Sequence, residues 1–369
     1  MRMLVVNWRC PKNPLAGGAE VYLQEIFSRL VARGHRVTLL SERFAGAATE
    51  DVVEGVRIIR AGGKFTFNFT AGRQVGRLAE ALNADVVVDD LNKIPFYSPW
   101  HTERPVLAIL MHLFRGTIFR EAVPPLAAYV WLAETMIPWA YRRCRFAVLS
   151  ASSKQDTVKV GIDPARITVI PPGTDFTRFQ PDAAVAREPV VLHVGRLKRY
   201  KATDHLLQAA RKLKERGLKF TTVIIGDGDD KPRLEALAAK LGLDDEVRFT
   251  GFIPEEEKLN WYRRSAVLAE NSVKEGWGLI VMEANACGTP VVVANSPGLR
   301  DSSKDGINGL VYDYGDTAGL ADRLERLLTD SALRERLGRQ AIDWARQWTW
   351  EAATDKMEKV IQDAVSEGR

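Results

Sequence analysis

Short apolar runs of strand length alternate with stretches of helical spacing along the chain, and the alternation runs through twice. Residues 3–6 read as a buried strand, after which Leu23, Ile26, Phe27, Leu30 and Val31 follow helical spacing, with Gly34 placed as a C-terminal cap. Strand patterns recur at 37–40, 85–88, 106–111 and 146–149, and 152–160 reads as a helix with serine at its start and Gly161 past its end. The rhythm breaks at Pro171-Pro172-Gly173, stays irregular through Gln180-Pro181-Asp182 to about Glu188, and then restarts. The second run places strands at 190–194, 220–225, 247–250, 267–269 and 291–293. Between them fall helices at 231–241, 255–264 and 279–286, and one capped by Thr203 and Gly217. Such alternation predicts an α/β chain with parallel sheets covered on both faces. A chain of 369 residues has room for two such domains, read here as 1–172 and 189–346 with 173–188 as the linker. In open α/β sheets ligands bind at the carboxyl ends of the strands, which makes a cleft between the domains the expected site.

Composition narrows the class. Apolar residues make up 46% and charged residues 27%, the balance of a globular chain rather than a disordered one. A net charge of +5 is mild for this length: it is compatible with an anionic ligand or an acidic membrane surface but is weak evidence for nucleic acid binding, and no nucleic acid partner is expected. Cys10, Cys144 and Cys287 are an odd set without metal-like spacing, so neither a disulfide framework nor a zinc site is expected and a reducing cytoplasm fits. The opening residues read as a strand, not a signal segment, and the apolar stretches 106–114 and 122–133 are too short or too broken for a spanning helix.

The most informative stretch is Lys274-Glu-Gly-Trp-Gly-Leu-Ile-Val-Met-Glu283. Gly276 and Gly278 flank Trp277, and a helix begins near Leu279, so a ligand can approach the backbone where free amides favour an anion. Glu275 lies in the loop and Glu283 about one turn into the helix, two carboxylates at different depths that suit a ligand with two polyol parts. Isolated glutamates in such places are ordinarily turn or solvated helix residues; the glycine pattern tips these two toward a ligand.

A second cluster, His193-Val-Gly-Arg196-Leu-Lys-Arg-Tyr-Lys201, follows the first strand of the second half. Basic groups there suit a diphosphate, with Arg196 and Lys201 favoured for contact and Lys198 and Arg199 read as a solvated run. After the first strand of the chain, Gly17 and Gly18 lead into a helix, an arrangement that serves a phosphate or only a tight turn. It is not the dinucleotide fingerprint, since a Gly-x-Gly-x-x-Gly is missing, and a dinucleotide oxidoreductase is disfavoured. His112 ends the strand 106–111 and is aimed at the expected cleft, whereas His35 and His205 are assigned to structure. Asp227 and Asp229, interleaved with Gly226 and Gly228, read as a turn rather than a metal pair.

With these stretches in place, the chain resembles the retaining family 4 (group 1) nucleotide-sugar glycosyltransferases of GT-B fold over nearly its whole length. The likeness rests on Gly17-Gly18, His112, Val169-Ile-Pro-Pro-Gly173-Thr-Asp175, Gly195-Arg196-Leu, Lys201, Gly226-Asp-Gly228, Gly251-Phe-Ile-Pro254 and the glutamate pair 275 and 283. It implies two Rossmann-like βαβ domains facing across a cleft, with a final helix at about 347–369 crossing back to the first domain. It implies that Arg196 and Lys201 hold the donor diphosphate, with the Gly17-Gly18 backbone closing over it. Glu283 would bind the ribose, Glu275 and His112 the transferred sugar, and the backbone near Ile253 the nucleobase. Gly226, Gly276, Gly278 and Leu279 would complete the donor-binding set. Of these, Glu275, His112, Arg196 and Lys201 would be the catalytic residues. No metal and no cofactor beyond the nucleotide-sugar co-substrate are implied. The acceptor would be a glycan, a lipid-linked or a small molecule, in glycan biosynthesis. Three departures stand out: Trp277 for the commoner phenylalanine, Ala202 for a glycine, and Asn271-Ser272 for Pro-Ser; none removes a chemical group.

The implied reaction keeps the anomeric configuration, and no nucleophilic side chain supports a double displacement. A nucleotide-sugar epimerase and a non-catalytic sugar-nucleotide or polysaccharide binding module are the alternatives. Intact Arg196, Lys201, Glu275 and Glu283 argue against the module. Between Leu113 and Arg145, the residues Phe114, Phe119, Leu126, Tyr129, Trp131, Leu132, Ile137 and Trp139 mix with Arg115, Arg120, Arg142, Arg143 and Arg145. Such a segment suits peripheral contact with the inner face of a membrane near a lipid acceptor, or a core-facing helix equally well.

Overall fold

The structure, a computed structural model, describes residues 1–92, 94–120 and 123–368; the side chain of Arg120 and the first residue of the stretch 122–133 lie outside the described residues. Two compact units result, one of Met1–Gly173 with Trp350–Arg369 and one of Thr174–Thr349.

The first unit is built on eight strands: β1 (Arg2–Val6), β2 (Arg36–Glu42), β3 (Glu50–Val53), β4 (Val56–Ala61), β5 (Val86–Asp90), β6 (Val106–Leu110), β7 (Arg145–Val148) and β8 (Ile167–Val169). They lie in the order β3-β4-β2-β1-β5-β6-β7-β8. Every pairing is parallel except β3 with β4, which form a hairpin turned by Glu54 and Gly55, both at positive φ. The parallel strands are buried on both faces, as apolar runs require. Helix Gly18–Ala32 buries Tyr22, Leu23, Ile26, Phe27 and Leu30 and ends at Gly34 (φ +90). Gly34 N–H donates to Val31 O and His35 N–H to Leu30 O, the paired bonds that close a helix through a left-handed glycine. Helix Phe67–Ala81 buries Phe67, Ala71, Val75 and Ala79 beside Leu4, Val6, Val87, Leu110 and Phe146 of the sheet. Each such large side chain contributes roughly 1.5–3 kcal/mol by leaving water.

Helix Trp350–Glu367 completes this unit. It buries Trp350, Ala353, Met357, Val360 and Ile361, and its acids meet the end of helix Gly18–Ala32. Glu351 lies 3.2 Å from Arg29, Asp355 2.7 Å from Arg33, and Glu358 2.8 Å from Arg33 and 2.9 Å from His35. Hydrogen bonds from Arg33 and His35 hold the Glu358 carboxyl below its ordinary range.

The second unit carries β9 (Glu188–Val194), β10 (Thr221–Ile225), β11 (Val247–Gly251), β12 (Ser265–Glu270), β13 (Val291–Ala294) and β14 (Gly309–Tyr312), all parallel in the order β11-β10-β9-β12-β13-β14. Strand order reverses between β9 and β12, so the loops leaving these two strands flank a topological switch point. The irregular stretch after Gly173 is fastened to this unit: Thr174 N–H donates to Trp348 O, and Arg187 donates to Ser265 O and Cys287 O.

Thr203 does not cap its helix. The helix Thr203–Glu215 starts after Ala202 at φ +47, and the Thr203 hydroxyl lies 3.3 Å from His193 Nε2 instead. Likewise the cap of helix Ala151–Lys159 is Ser150, which accepts from Ser153 N–H.

Candidate active site

The loop leaving β9 runs against the loop leaving β10. Gly195 N–H donates to Ile225 O and Leu197 N–H to Asp227 O. A Cβ on Gly226 (φ +128) would stand 2.0 Å from Gly195 O, so only glycine lets the two backbones meet. The Asp-x-Asp pair is used within this turn: Asp227 accepts from Gly228 N–H, and Asp229 pairs with Lys198 at 2.6 Å. Arg196 is exposed.

Lys201 closes the short turn Arg199–Lys201 and folds back over Gly195, whose added Cβ would lie 3.7 Å from Lys201 Nζ. Its ammonium donates to Glu275 Oε1 at 2.7 Å and stands 3.8 Å from Glu270 Oε1. The side chains of Lys201 and Glu275 are 11% and 17% exposed, and Glu270 is fully buried. Burial pulls the lysine down, and the two carboxylates more than reverse this, so its charge is held above the ordinary lysine range.

Glu275 N–H donates to Pro297 O, and a Cβ on Gly298 would stand 2.1 Å from Glu275 O, so the loop is clamped by backbone on one side. Trp277 is buried edge-on against Trp348, ring centres 5.0 Å apart, which anchors the loop between Gly276 and Gly278. Gly278 at φ +106 then turns the chain into helix Leu279–Ala286, whose first amides face outward from the helix start.

Glu283 is not a solvated helix residue. Its side chain is 20% exposed, accepts from Tyr262 Oη at 2.7 Å and lies 3.4 Å from Lys258 Nζ. Lys258 and Tyr262 stand one turn apart on helix Glu255–Arg264 and so share a face. Burial, then the Glu283 charge, pushes the Tyr262 hydroxyl well above its ordinary range, keeping it a donor. Ile253 is half-buried just past β11.

The second unit therefore brings Lys201, Glu275, Gly226 and the 276–279 turn to the carboxyl ends of β9, β10 and β12, with Glu283 one turn along the helix. Gly17, Gly18 and His112 belong to the first unit. There Gly17 N–H donates to Glu20 Oε2 at 2.6 Å, so the chain's own glutamate caps that helix start. His112 is half-buried just past β6, its ring 4.7 Å from that of Phe114. His35 joins Glu358, and the His205 ring lies tilted against that of Tyr314, centres 5.1 Å apart.

Three residues escaped the sequence reading. Lys258 and Tyr262 hold Glu283, and the i, i+4 spacing on one helix was their signal. Glu270 sits at the end of an apolar strand, where a single acid after Val267-Leu-Ala is itself the anomaly.

Two family models match the chain: Glycosyl transferases group 1 over residues 175–344, and Glycosyltransferase Family 4 over residues 16–178. A D-inositol 3-phosphate glycosyltransferase of Thermomonospora curvata is 30% identical across 95% of this chain and 91% of its own length. One from Frankia alni is 37% identical across 55% of this chain, which spans about half, 54%, of that relative. Among solved structures, a sucrose-phosphate synthase from Thermosynechococcus elongatus superposes with a TM-score of 0.82 at 21% identity, covering 98% of each chain. The Anabaena protein HepE in complex with UDP-glucose superposes at 0.78 and 18% identity, covering 98% of this chain and 100% of that one. The fold is GT-B. The chain belongs to the group 1, family 4 glycosyltransferases.

Proposed function

We propose that this chain moves a glycosyl group from a nucleoside-diphosphate sugar to an acceptor hydroxyl, with retention and without a metal ion. The observation that carries the reading is the Lys201–Glu275 contact at a switch point, with Glu283 braced one turn away by Tyr262 and Lys258. A cation fit for a diphosphate adjoins a carboxylate fit for sugar hydroxyls. Arg196 and Lys201 take the diphosphate, the amides of the 276–279 turn lie against it, Glu283 takes the ribose, and the backbone at Ile253 meets the base. Gly17, Gly18 and His112, in the first unit, are the residues that the family resemblance adds to this set. The UDP-glucose complex of HepE supports the donor class.

In the reaction the bond from the anomeric carbon to the leaving phosphate oxygen breaks, and the acceptor oxygen bonds on the same face. The acceptor proton passes to the leaving phosphate. Lys201 and Arg196 offset the charge that develops on the diphosphate, and Glu275 that on the sugar. A panel of nucleotide sugars, scored by thermal stabilisation and by acceptor-dependent release of nucleoside diphosphate in EDTA, tests the reading; inositol phosphates belong among the acceptors. Release without any acceptor requirement, or activity lost to EDTA and restored by magnesium, contradicts it.

A lipid-linked acceptor is favoured by one surface of the first unit. Helix Pro124–Thr135 turns Leu126, Tyr129, Trp131 and Leu132 outward, and its one acid, Glu134, is buried. Trp139 (61% exposed) meets Trp100, ring centres 5.0 Å apart, and Tyr129 accepts from Asn68 near exposed Phe65 and Phe69. Exposed Lys64, Arg142 and Arg143 add positive charge. We read this as a peripheral membrane contact; no helix among the described residues is long and apolar enough to cross a bilayer. Flotation with phosphatidylglycerol vesicles at low salt is the test, and absence of binding there removes the contact.

A further inference from the structure

Glu270 is the acid that the donor-binding roles leave unexplained. It ends β12, an inner strand of the sheet, and pairs in register with Val293, which pairs with Val311. No part of Glu270 reaches solvent. Oε1 accepts from the Ser272 hydroxyl at 2.5 Å and from Ser272 N–H at 3.3 Å, and Oε2 has no hydrogen-bond partner among the described residues. A half-satisfied carboxylate in a row of valines is costly to fold, and a nearby cation offsets part of that cost. Its charge partner is Lys201, 3.8 Å away, whose direct hydrogen bond goes to Glu275. The remaining groups around this ammonium are weak competitors. His193 on β9 donates through Nδ1 to Ala269 O and faces Thr203 through Nε2, and burial lowers it, so it is neutral. The Tyr200 ring lies 5.7 Å from Lys201 Nζ.

We infer that Glu270 is a positioning residue for Lys201: a fixed counter-charge that keeps the lysine cationic and in place while Glu275 is freed for the donor. The inference rests on the proposed donor site. Glu275 is partly open to solvent and is the group that turns to the sugar; before the diphosphate arrives, a lysine this buried with Glu275 as its sole carboxylate rests its charge on a group that moves, and Glu270 is the carboxylate that stays. Glu270 does not move with the loop, since β12 and Ser272 hold it.

Two variants test the role. Glu270→Gln keeps the volume and the Ser272 contacts without the charge, and Glu270→Leu matches the valine row. Binding of ADP, GDP and UDP is measured by calorimetry from pH 7 to pH 10, and the tightest ligand is followed. Both variants should bind it within about threefold of wild type at pH 7, then lose roughly tenfold more affinity than wild type by pH 10, as an unsupported buried lysine gives up its proton. Reference to the wild-type profile removes titration of the nucleotide itself. Glu270→Asp should restore part of the loss. A wild-type pH profile in Gln and Leu variants, beside a Lys201→Met that binds poorly, overturns the role of Glu270 alone. Wild-type affinity in Lys201→Met, or no nucleotide binding by the wild type, overturns the donor site and this role together.

Discussion

One methyl group placed on Gly298 tests whether the Glu275 loop must sit where it does. Gly298 has φ +84 and ψ −48, outside the left-handed helical well, where an alanine costs about 1–3 kcal/mol in backbone strain. Its Cβ would stand 2.1 Å from Glu275 O and 2.6 Å from Glu275 C. Carbon–oxygen contacts of this kind settle near 3.3–3.6 Å, so the loop must retreat by roughly 1 Å or more. Overpacking of that order adds about 1–3 kcal/mol. At roughly 2–4 °C per kcal/mol for a unit of this size, Gly298→Ala should lower the melting temperature by about 5–15 °C. A reacting group displaced by ~1 Å loses on the order of 10²-fold in rate, so kcat should fall about that far in the fraction that stays folded. Gly315→Ala is the matched control: φ is +93 and nothing lies within 4 Å of the new Cβ. It carries the backbone strain alone and should melt a few degrees lower with unchanged kinetics. Donor-dependent kinetics below both melting transitions compares them. Wild-type kcat in folded Gly298→Ala would refute the claim that the 275 backbone is fixed for catalysis.

In the proposed donor site Glu283 binds a part of the donor that does not change during transfer, so Glu283→Gln should chiefly raise the donor KM; Glu275→Gln should chiefly lower kcat, by roughly 10²-fold if ~2.7 kcal/mol of transition-state stabilisation is lost. Steady-state kinetics at saturating acceptor decides this, and two pure KM effects would sink the division. In the first unit, burial, then the charges of Glu20 and Asp89, raise the Asp90 carboxyl well above its ordinary range. It keeps a proton in the fold after the unfolded chain has released one, so stability falls as pH rises above about 4. Asp90→Asn should therefore melt higher than wild type at pH 7.5 and show a flatter decline from pH 5; a lower melting temperature at both pH values contradicts the sign. Trp139→Glu with Leu132→Glu should abolish vesicle flotation while leaving transfer to a soluble acceptor intact, and undiminished flotation places the lipid contact elsewhere.

What the sequence showed was governed by how local each signal is. The central parallel strands were legible because stretches such as Val190-Val-Leu and Val291-Val-Val are continuous apolar runs between helical patterns. The β3–β4 hairpin was not, since Glu50-Asp51 and Arg57 give a solvated edge no such run and its Glu54-Gly55 turn is an uncommon pair. The glutamate pair was readable from its glycines. Its partners were not: Lys258 and Tyr262 reach Glu283 from another helix, and Glu270 meets Lys201 across the sheet. Ala202 is a different case. The structure holds it at φ +47, ψ +41, which gives a physical reason for a glycine to be usual there, but a departure from a pattern does not by itself announce a strained backbone.

The placement of helix Trp350–Glu367 in the first unit sets the order in which the molecule can be finished on the ribosome. The second unit is contiguous and has every residue it needs before that helix is made. The first unit begins earlier yet must wait, with Arg29, Arg33 and the face of Tyr22 that meets Trp350 uncovered, until the whole second unit has been synthesised. At about 5–20 residues per second that interval is roughly 10–35 s. For that time the unit made first is the unfinished one, and it is there, after the second unit is complete, that a nascent chain has apolar surface to protect.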